Sequence, residues 1–438
     1  MDEYGSKTLD DELSPLTKEQ IRPCARWRGA TAMIAVGAAA VIILGVATNG
    51  GHIDFKDAAT DDAAAAATTE VVPLAVVPDV EYTAAEDAEW IEFKARFRKS
   101  YASPEDEALK RSYYHARVAE LAEKNALNGK PVFGVTAHAD RAPGTSAFAR
   151  GRKDRGMFET YKDSYEKFDV DEWRSKAKNV DWEDGQVDWR KVDDVLTPVK
   201  NQGQCGSCWA FSTTEQVESQ FYLAGGPPVV LSAQQVTSCA KYIDDPEEGC
   251  CFGCGGGDVT VAYDYIKGAI GLSPAAYWPY TQALTPDEEC LGPFCTNSCD
   301  MDLSELVTEY DYIGPYAKVE GYAFATDPCG EGLCADQDLG ELAKTIQATP
   351  AAVCVNAGAW DDYTGGVLRY DACSGAYADI DHCVQLVGYD ATGEEPYWIV
   401  RNSWSTSWGE DGYIRLQMDA NTCGVADEAT VAKVGGVW

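Results

Sequence analysis

The segment from Gln204 to Ser212, QCGSCWAFS, constrains this chain more than any other feature. Cys208 follows a Gly-Ser pair and opens a run that predicts a helix over residues 209–222, ended by the glycines at 225 and 226. A thiol at a helix N-terminus feels the positive end of the helix dipole, which favours the thiolate. The backbone N–H of Cys208 is unpaired in the first turn and can face a developing oxyanion. The segment therefore predicts a nucleophilic cysteine.

Two downstream residues can complete a set of nucleophile, base and orienting group around Cys208. His382, in DHCVQLVGY, is the only histidine after Cys208, and the whole chain has four. Asn402 lies in YWIVRNSW, directly after a strand-like run. Taken singly, such residues are usually a disulfide cysteine, a surface or core histidine and a turn asparagine. Their joint order and local contexts favour a catalytic set instead.

This arrangement resembles the papain-like cysteine proteases (clan CA), whose nucleophile lies in a C-G-[SA]-C-[WY] motif with His and Asn downstream. The resemblance covers residues 186–438 and implies an α+β fold of two lobes, one helical and one β-barrel-like, with a cleft between them. It implies that Cys208 is the nucleophile and His382 the general acid and base. Asn402 would orient the imidazole, and Gln202 would donate to the oxyanion. The implied activity is that of a cysteine endopeptidase with no cofactor and no metal.

The resemblance also implies substrate contacts in the cleft. Gly256 and Gly257 would leave the backbone open for a peptide to pair as an added strand. Trp404 would shield the hydrogen bond between Asn402 and the imidazole from water. Glu428 falls at the floor of the pocket for the P2 residue, where a carboxylate would accept arginine as well as apolar side chains. The alternative for this residue is a solvated surface acid.

The spacing of the catalytic set predicts insertions. Cys208 is separated from His382 by 174 residues and from Asn402 by 194, whereas the family spacing is about 130–150. The chain should therefore carry some tens of additional residues. Acidic stretches marked by glycine, proline and cysteine supply them at 242–251, 281–299 and 325–338.

The 16 cysteines of the chain, most of them after residue 200, indicate an oxidising lumen or exterior. The family resemblance implies three disulfides, which join Cys205 to Cys254, Cys239 to Cys290, and Cys373 to Cys423. Cys329 and Cys334 can close a short local loop, while Cys354 and Cys383 lie in apolar strand-like runs and are expected to be buried thiols. A zinc module built from cysteines between 250 and 299 is the rival interpretation, although the spacing lacks clean C-x2-C pairs.

The net charge of −35 limits the partners of the folded chain. Such a charge argues against nucleic acid and against anionic lipid surfaces. It suits a protein kept soluble in an acidic or concentrated compartment, although a general acidic bias is the plainer explanation. We expect a monomer that acts on protein and peptide substrates.

The N-terminal residues predict a membrane-targeted protein. Residues 29–48 form an uncharged run long enough to span a bilayer. Three arginines between 22 and 28 precede it, so the positive-inside rule places residues 1–28 in the cytosol. The protease would then lie in the lumen of the secretory or endolysosomal pathway or outside the cell. A cleaved signal peptide is the alternative to a signal anchor. Residues 49–86 are of low complexity and predict a flexible stalk.

Residues 87–140 predict a helical propeptide domain that inhibits the enzyme. Aromatic residues recur at three to four positions from Trp90 to Tyr101, and a second helical run begins after Pro104. A loose likeness to a second motif of such propeptides covers residues 134–140. The alternative is a generic pair of amphipathic helices. The second run resembles the ERFNIN-type helix of cathepsin L-like propeptides through Glu107, Arg111, Tyr114, Arg117, Leu121 and Asn125, of which Tyr114, Arg117 and Leu121 depart from that pattern.

Residues 141–185 predict a linker, and the basic patch at Arg150, Arg152, Lys153 and Arg155 is interpreted as a processing region. The resemblance implies that the propeptide lies backwards through the cleft. Abundant carboxylates, together with His138, predict its release on acidification. A second functional class is a non-catalytic, membrane-tethered homologue that binds peptides, and the presence of the whole catalytic set argues against it.

Overall fold

The computed structural model describes residues 80–152, 165–240, 253–269, 271–281, 317–329, 334 and 337–435 of the chain. The predicted cytosolic tail, membrane segment and most of the stalk lie outside these residues, as do most of the first two insertions. Within the described residues, no helix combines the length and the apolar character needed to cross a membrane.

Two helices of the N-terminal segment occur where the sequence predicts them. Helix α1 spans Ala84–Phe97 and begins with a capping box, in which Thr83 and Glu86 satisfy each other's backbone N–H groups. Helix α2 spans Pro104–Asn128, is capped by Ser103, and ends at Gly129 in the left-handed conformation. Their buried aromatic residues Trp90, Phe93 and Tyr114 form a small separate core together with Ala139, which follows the helices.

The polar residues of α2 hold this helix pair together and attach it to the rest of the chain. Glu107 accepts a hydrogen bond from Trp90 Nε1 at 3.3 Å. Asn125 Oδ1 accepts from the backbone N–H groups of residues 132 and 133 at 2.8 and 2.9 Å. Arg117, which departs from the propeptide pattern, forms a buried ion pair with Asp362 at 3.2 Å. The departure therefore supplies a contact between described residues 80–185, called the prosegment below, and the residues from 186 onward, called the catalytic part.

Five further helices follow in the described part of the chain. Four of them start at side-chain caps, in which Asp169, Ser232, Asp258 or Asp338 accepts a hydrogen bond from a backbone N–H of the first turn. The helix predicted over 209–222 begins one residue earlier, at the candidate nucleophile. The helices are α3 (Val170–Lys176), α4 (Cys208–Leu223), α5 (Ala233–Cys239), α6 (Val259–Gly268) and α7 (Leu339–Ala348).

Eight strands between residues 186 and 434 form one sheet. The strands are β1 (Gln186–Asp188), β2 (Val319–Phe324), β3 (Ala351–Val355), β4 (Val367–Leu368), β5 (His382–Asp390), β6 (Tyr397–Arg401), β7 (Tyr413–Gln417) and β8 (Glu428–Val434). Their order is β2-β8-β3-β5-β6-β7-β4, with β1 paired to β5, and the pairs are antiparallel apart from β4 with β7. The sequence carries strand signals at 351–356, 383–389, 397–401 and 412–417, and each of these segments contains a strand of the sheet.

Helix α4 packs against strand β5, and this contact places the candidate catalytic residues. All residues of α4 except Tyr222 are buried. Ser212 Oγ donates to the carbonyl oxygen of Val384 at 2.7 Å, and Gln385 Nε2 donates to the carbonyl oxygen of Glu215 at 3.0 Å. The N-terminus of the helix, with Cys208, therefore lies beside the first residues of the strand.

Two of the three disulfides implied by the family resemblance are present in the structure. Cα atoms lie 4.5 Å apart in the pair Cys205–Cys254 and 5.0 Å apart in Cys373–Cys423. The local pair Cys329–Cys334 is also joined. The third implied pair involves Cys290, which lies outside the described residues, so that pairing stays a prediction.

The expectation that Cys354 and Cys383 are buried thiols is wrong, because the structure joins them in a disulfide. The two residues are both buried, and they lie directly opposite each other on the antiparallel strands β3 and β5, with Cα atoms 4.0 Å apart. Strand-like runs predict burial, but the register between two distant strands cannot be obtained from the composition of either one. One cysteine of this disulfide, Cys383, directly follows the candidate base His382.

Candidate active site

Cys208 is fully buried at the first turn of α4, and its thiol is surrounded by backbone N–H groups. The N–H of Gly151, from the prosegment, lies 3.2 Å from Cys208 Sγ. The N–H groups of Trp209 and Cys383 also approach the sulfur and favour its thiolate. Because Cys383 follows His382, the thiol lies at the start of β5, beside the candidate base.

His382 and Asn402 are joined as the resemblance implies. His382 Nε2 and Asn402 Oδ1 are 2.9 Å apart, and both side chains are buried. The ring of Trp404 lies over this pair, with its centroid 4.7 Å from that of the imidazole. Within the described residues, His382 Nδ1 has no hydrogen-bond partner. Asn402 therefore fixes the imidazole through one ring nitrogen and leaves the other unengaged by any described residue.

Gln202 is held with its amide group facing the cleft. Its Oε1 accepts a hydrogen bond from Ser403 Oγ at 2.6 Å, which fixes the orientation of the amide. Its Nε2 donates at 2.9 Å to the carbonyl oxygens of Cys205 and of Ala149 in the prosegment. A carbonyl oxygen of the prosegment therefore already occupies the donor that the resemblance assigns to an oxyanion.

A buried charge cluster, not anticipated from the sequence, supports both sides of the site. Arg401 precedes Asn402 and is completely buried, with its guanidinium 3.4 Å from Glu215 of α4. Lys200, two residues before Gln202, lies 2.7 Å from Glu218 and 3.5 Å from Glu215. Pairing avoids the large free-energy cost of burying a charge without a partner. It also ties the segments that carry Gln202 and Asn402 to helix α4.

The covered site favours the neutral forms of the thiol and the imidazole. Burial raises the pKa of Cys208 to about 11, although three backbone N–H groups oppose this. Burial lowers the pKa of His382 to about 3, against the effect of the Asn402 hydrogen bond. The sequence predicts a thiolate at the helix N-terminus, and in this state the loss of water outweighs the helix dipole. Burial therefore favours the uncharged thiol and the uncharged imidazole in this covered state.

The prosegment fills the cleft in an extended conformation. Phe148 stacks on Trp404, with ring centroids 4.4 Å apart and planes 6° apart. The N–H of Gly257 donates to the carbonyl oxygen of Gly151 at 2.7 Å, and the N–H of Arg152 donates to that of Asp381 at 3.0 Å. Of the two glycines expected to pair with a peptide, the structure therefore shows the pairing for Gly257. The N–H of Gly256 instead donates to the carbonyl oxygen of Gly253 at 3.5 Å.

The prosegment backbone passes Cys208 at Gly151, where there is no room for a side chain. A Cβ atom at this position would overlap the backbone of Gly206. At this point the N–H of Gly151 donates a hydrogen bond to the sulfur of Cys208. A single glycine in a linker gives no signal of this role in the sequence, which is why the residue was missed.

Glu428 is buried at the base of a pocket that the side chain of Arg152 occupies. Arg152 Nε donates to Glu428 Oε2 at 3.2 Å, and a second, shorter bond joins Nη2 to Oε1. Nη2 also donates to the hydroxyl oxygen of Tyr377 at 2.6 Å, and the guanidinium lies over that ring. The alternative of a solvated surface acid is therefore wrong for Glu428.

The first two residues of the basic patch lie against the catalytic part, and the role of the patch in processing stays a prediction. Arg152 is only 8% exposed, and Arg150 Nε pairs with Asp381 at 3.0 Å. Both arginines thus bind the catalytic part, because their charges meet carboxylates that line the cleft. Lys153 and Arg155 lie outside the described residues.

Comparisons with known proteins agree with this geometry. Residues 184–433 match the family described as papain family cysteine protease. The chain is 32% identical over 342 residues to "Probable cysteine protease RD19B" of Arabidopsis thaliana, covering 76% of this chain and 83% of that protein. It is 30% identical over 392 residues to "Cysteine proteinase 1" of Zea mays, covering 87% and 94%.

Among solved structures, the chain is similar to the digestive procathepsin L2 proteinase from the larval midgut of Tenebrio molitor. The TM-score is 0.59 at 26% identity, and the match covers 80% of this chain and 99% of that one. That neighbour is a proenzyme, in keeping with a prosegment that lies in the cleft. The family match, the curated relatives and the fold together show that this chain belongs to the papain family of cysteine proteases.

Proposed function

We propose that the chain is the zymogen of a cysteine endopeptidase in which Cys208, His382, Asn402 and Gln202 carry out peptide-bond hydrolysis. The observation that supports this most is the hydrogen-bonded His382–Asn402 pair beside a cysteine at a helix N-terminus. This geometry suits Cys208 as the nucleophile, His382 as the residue that transfers the proton, and Asn402 as the residue that fixes the imidazole ring.

The reaction would proceed through an acyl-enzyme. After the cleft opens, His382 Nδ1 takes the thiol proton, and the sulfur attacks the peptide carbonyl carbon. The resulting oxyanion accepts hydrogen bonds from Gln202 Nε2 and the Cys208 N–H. His382 then gives its proton to the leaving amine. Water, activated by the same imidazole, hydrolyses the thioester and restores the thiol.

The prosegment inhibits because it occupies every part of this machinery without offering a scissile bond. Ala149 supplies a carbonyl oxygen to Gln202, while Gly151 presents its N–H to the sulfur. Phe148 covers Trp404, and Arg152 fills the pocket of Glu428. A segment attached to the same chain has a high effective concentration, so these contacts need not be individually strong.

We further propose that acidification releases the prosegment, with His138 as one sensor. His138 is half-buried, and its ring meets the edge of Phe148 with centroids 5.2 Å apart. Burial lowers its pKa, with smaller effects from the cations Arg141 and Lys99, while Asp361 and Asp140 act in the opposite direction. A charged imidazole here would be poorly solvated and would face two cations.

The sign of this effect favours release in acid. The pKa of His138 is lower in the docked state than the value of about 6.5 in a free chain. Docking is therefore favoured above the free pKa, where His138 is neutral in both states. This advantage is lost as the pH falls through the free pKa towards the docked one.

The first test is activity on a fluorogenic peptide with Phe-Arg before the reporter, after acid treatment of the full-length protein. We expect hydrolysis by the wild type and none above background for Cys208→Ala, because only the sulfur can form the acyl-enzyme. If the wild type stays inactive once electrophoresis shows that the prosegment is gone, the chain is a peptide-binding homologue and the proposal fails.

Substituting His138 should move the pH at which the zymogen is activated. We expect the rate of prosegment loss for His138→Gln to reach half its maximum at a lower pH than in the wild type, because the neutral amide cannot acquire the buried charge. The measurement is processing followed by electrophoresis from pH 4 to 7. The control is His115→Gln, since His115 stacks on Tyr82 within the prosegment's own helical unit. Identical profiles for wild type and His138→Gln would contradict this role.

The pocket of Glu428 should determine whether arginine is accepted at P2. Glu428→Gln retains the size of the side chain but loses the charge, so cleavage of Arg-Arg substrates should fall about tenfold or more relative to Leu-Arg substrates, consistent with the energy of a charge-assisted bond. Values of kcat/KM for the two substrates give this ratio. An unchanged ratio would remove Glu428 from substrate selection.

We also propose that residues 29–48 target this zymogen to a membrane of the secretory or endolysosomal pathway, with the protease on the lumenal or extracellular side. The support is the uncharged run and the arginines that precede it. The newly made protein should stay in the membrane pellet after extraction with alkaline carbonate, and a variant without residues 29–48 should not. Release of the wild type with a new N-terminus beyond residue 48 would instead indicate a cleaved signal peptide.

A further inference from the structure

The hydroxyl of Tyr280 joins two segments that carry groups of the candidate active site. Tyr280 Oη donates to the backbone carbonyl oxygen of Gln202 at 3.0 Å. The same oxygen lies 2.6 Å from Ser207 Oγ. Ser207 directly precedes Cys208, whose backbone N–H is the second donor proposed for the oxyanion. One phenol hydroxyl therefore contacts the residue that carries one oxyanion donor and the residue that precedes the other.

The direction of these two hydrogen bonds follows from what each group can donate. A backbone carbonyl oxygen only accepts, so the single proton of the Tyr280 hydroxyl goes to Gln202. Ser207 must then donate its own proton to Tyr280 Oη. The two bonds run in one sense, from serine to tyrosine to carbonyl, and such bonds polarise and strengthen one another. Burial raises the pKa of Tyr280, so its hydroxyl keeps the proton at acidic and neutral pH.

Ser207 stands at the N-cap of helix α4 but does not cap it. A serine at this position normally accepts a hydrogen bond from a backbone N–H of the first turn, as Ser232 does for helix α5. Ser207 is fully buried, and its side chain makes no such bond to the described helix. Its hydroxyl bonds to Tyr280 instead. The side chain therefore does not compete for the first-turn N–H groups, of which that of Trp209 approaches the sulfur.

The ring and the backbone of Tyr280 are held by the helices that surround them. The ring meets that of Phe211 on α4 edge-on, with centroids 4.7 Å apart. The next N–H along the chain donates to Gln234 Oε1 of α5 at 2.9 Å. Two residues before the tyrosine, the carbonyl oxygen of Trp278 accepts from Ser232 Oγ at 2.7 Å. Because the chain is fixed on both sides of Tyr280, its hydroxyl can align the two donor segments.

We propose that Tyr280 is a positioning residue for the oxyanion site, which sets the placement of Gln202 Nε2 relative to the N–H of Cys208. The inference rests on the proposed role of these two groups as oxyanion donors. Such donors are effective only when they are aimed in advance at the place where charge develops, and small displacements lower the rate. Ser403 fixes the side-chain amide of Gln202, whereas Tyr280 fixes its backbone.

Removing the hydroxyl tests this role. The acid-activated full-length protein, with its active sites titrated by an epoxide inhibitor, is assayed on a Phe-Arg fluorogenic peptide. We expect Tyr280→Phe to lower kcat about three- to tenfold with KM nearly unchanged, because the two donors act on the oxyanion and not on the bound peptide.

Two reactions of the Cys208 sulfur locate the defect. Affinity for a peptide aldehyde should fall by a factor similar to that of kcat, since the sulfur adds to the aldehyde carbon and places its oxygen where the oxyanion forms. The rate of alkylation by iodoacetamide should stay the same, because the sulfur displaces iodide there and no oxyanion develops. A fault confined to the oxyanion site therefore changes the first reaction and spares the second.

Two further variants separate positioning from a loss of stability. Ser207→Ala breaks the same pair of hydrogen bonds at its other end, so its effect on kcat should not add to that of Tyr280→Phe in the double variant. Tyr389→Phe is the matched control, since the Tyr389 hydroxyl accepts a hydrogen bond from Gln347 at 2.7 Å near the far end of strand β5. The control should retain both kcat and aldehyde affinity.

Gln202→Ala serves as the reference for losing a donor outright. If it weakens aldehyde binding and Tyr280→Phe does not, Tyr280 has no positioning role and the inference is overturned. A loss of alkylation rate as large as the loss of kcat would overturn it too, because the damage would then include the thiol. If Gln202→Ala itself leaves kcat and aldehyde affinity unchanged, the proposed oxyanion donor fails, and this inference with it. Where Tyr280→Phe does not accumulate as folded protein, Ser207→Ala decides by the same measurements.

Discussion

The packing of helix α4 against strand β5 is the contact on which both catalysis and inhibition depend. Cys208 begins the helix and His382 begins the strand, so the distance between them depends on how the two elements pack. This packing is stabilised by hydrogen bonds from Ser212 and Gln385 and by the buried ion pair of Glu215 with Arg401. Since Arg401 adjoins Asn402, one charged cluster also places the residue that orients the imidazole. A small shift of the helix would therefore disturb thiol, base and orienting group together.

The prosegment uses the acidity of the catalytic part as its binding surface. In the pairs Arg117–Asp362, Arg150–Asp381 and Arg152–Glu428, the cation comes from the prosegment and the carboxylate from the catalytic part. This gives the strong net negative charge a specific use beyond solubility. The proposed P2 pocket would therefore use the same carboxylate, Glu428, that holds Arg152 of the prosegment.

Local patterns predicted the helices, the strands and the residues that meet at the candidate site, whereas contacts between distant segments could not be predicted. The helix at Cys208 follows from the glycines that end it, and the strands follow from their apolar runs. The disulfide between Cys354 and Cys383 depends on the register of two strands, which neither sequence specifies alone. Arg152 was assigned to a processing patch because a basic residue in a linker has no visible partner until the fold brings Glu428 to it.

The pairing of Arg152 with Glu428 also explains how an inhibitor can be held firmly and still be released. A buried ion pair gains little net stability over separated, solvated charges, because desolvation offsets most of the attraction. Once the rest of the prosegment loosens, water can enter the pocket and the pair loses the enclosure that makes it strong. The prosegment is therefore held in the cleft only while all of it is bound, from Arg117 on α2 to Arg152. The proposed release would then be cooperative, since the loss of any anchoring contact exposes the others to solvent.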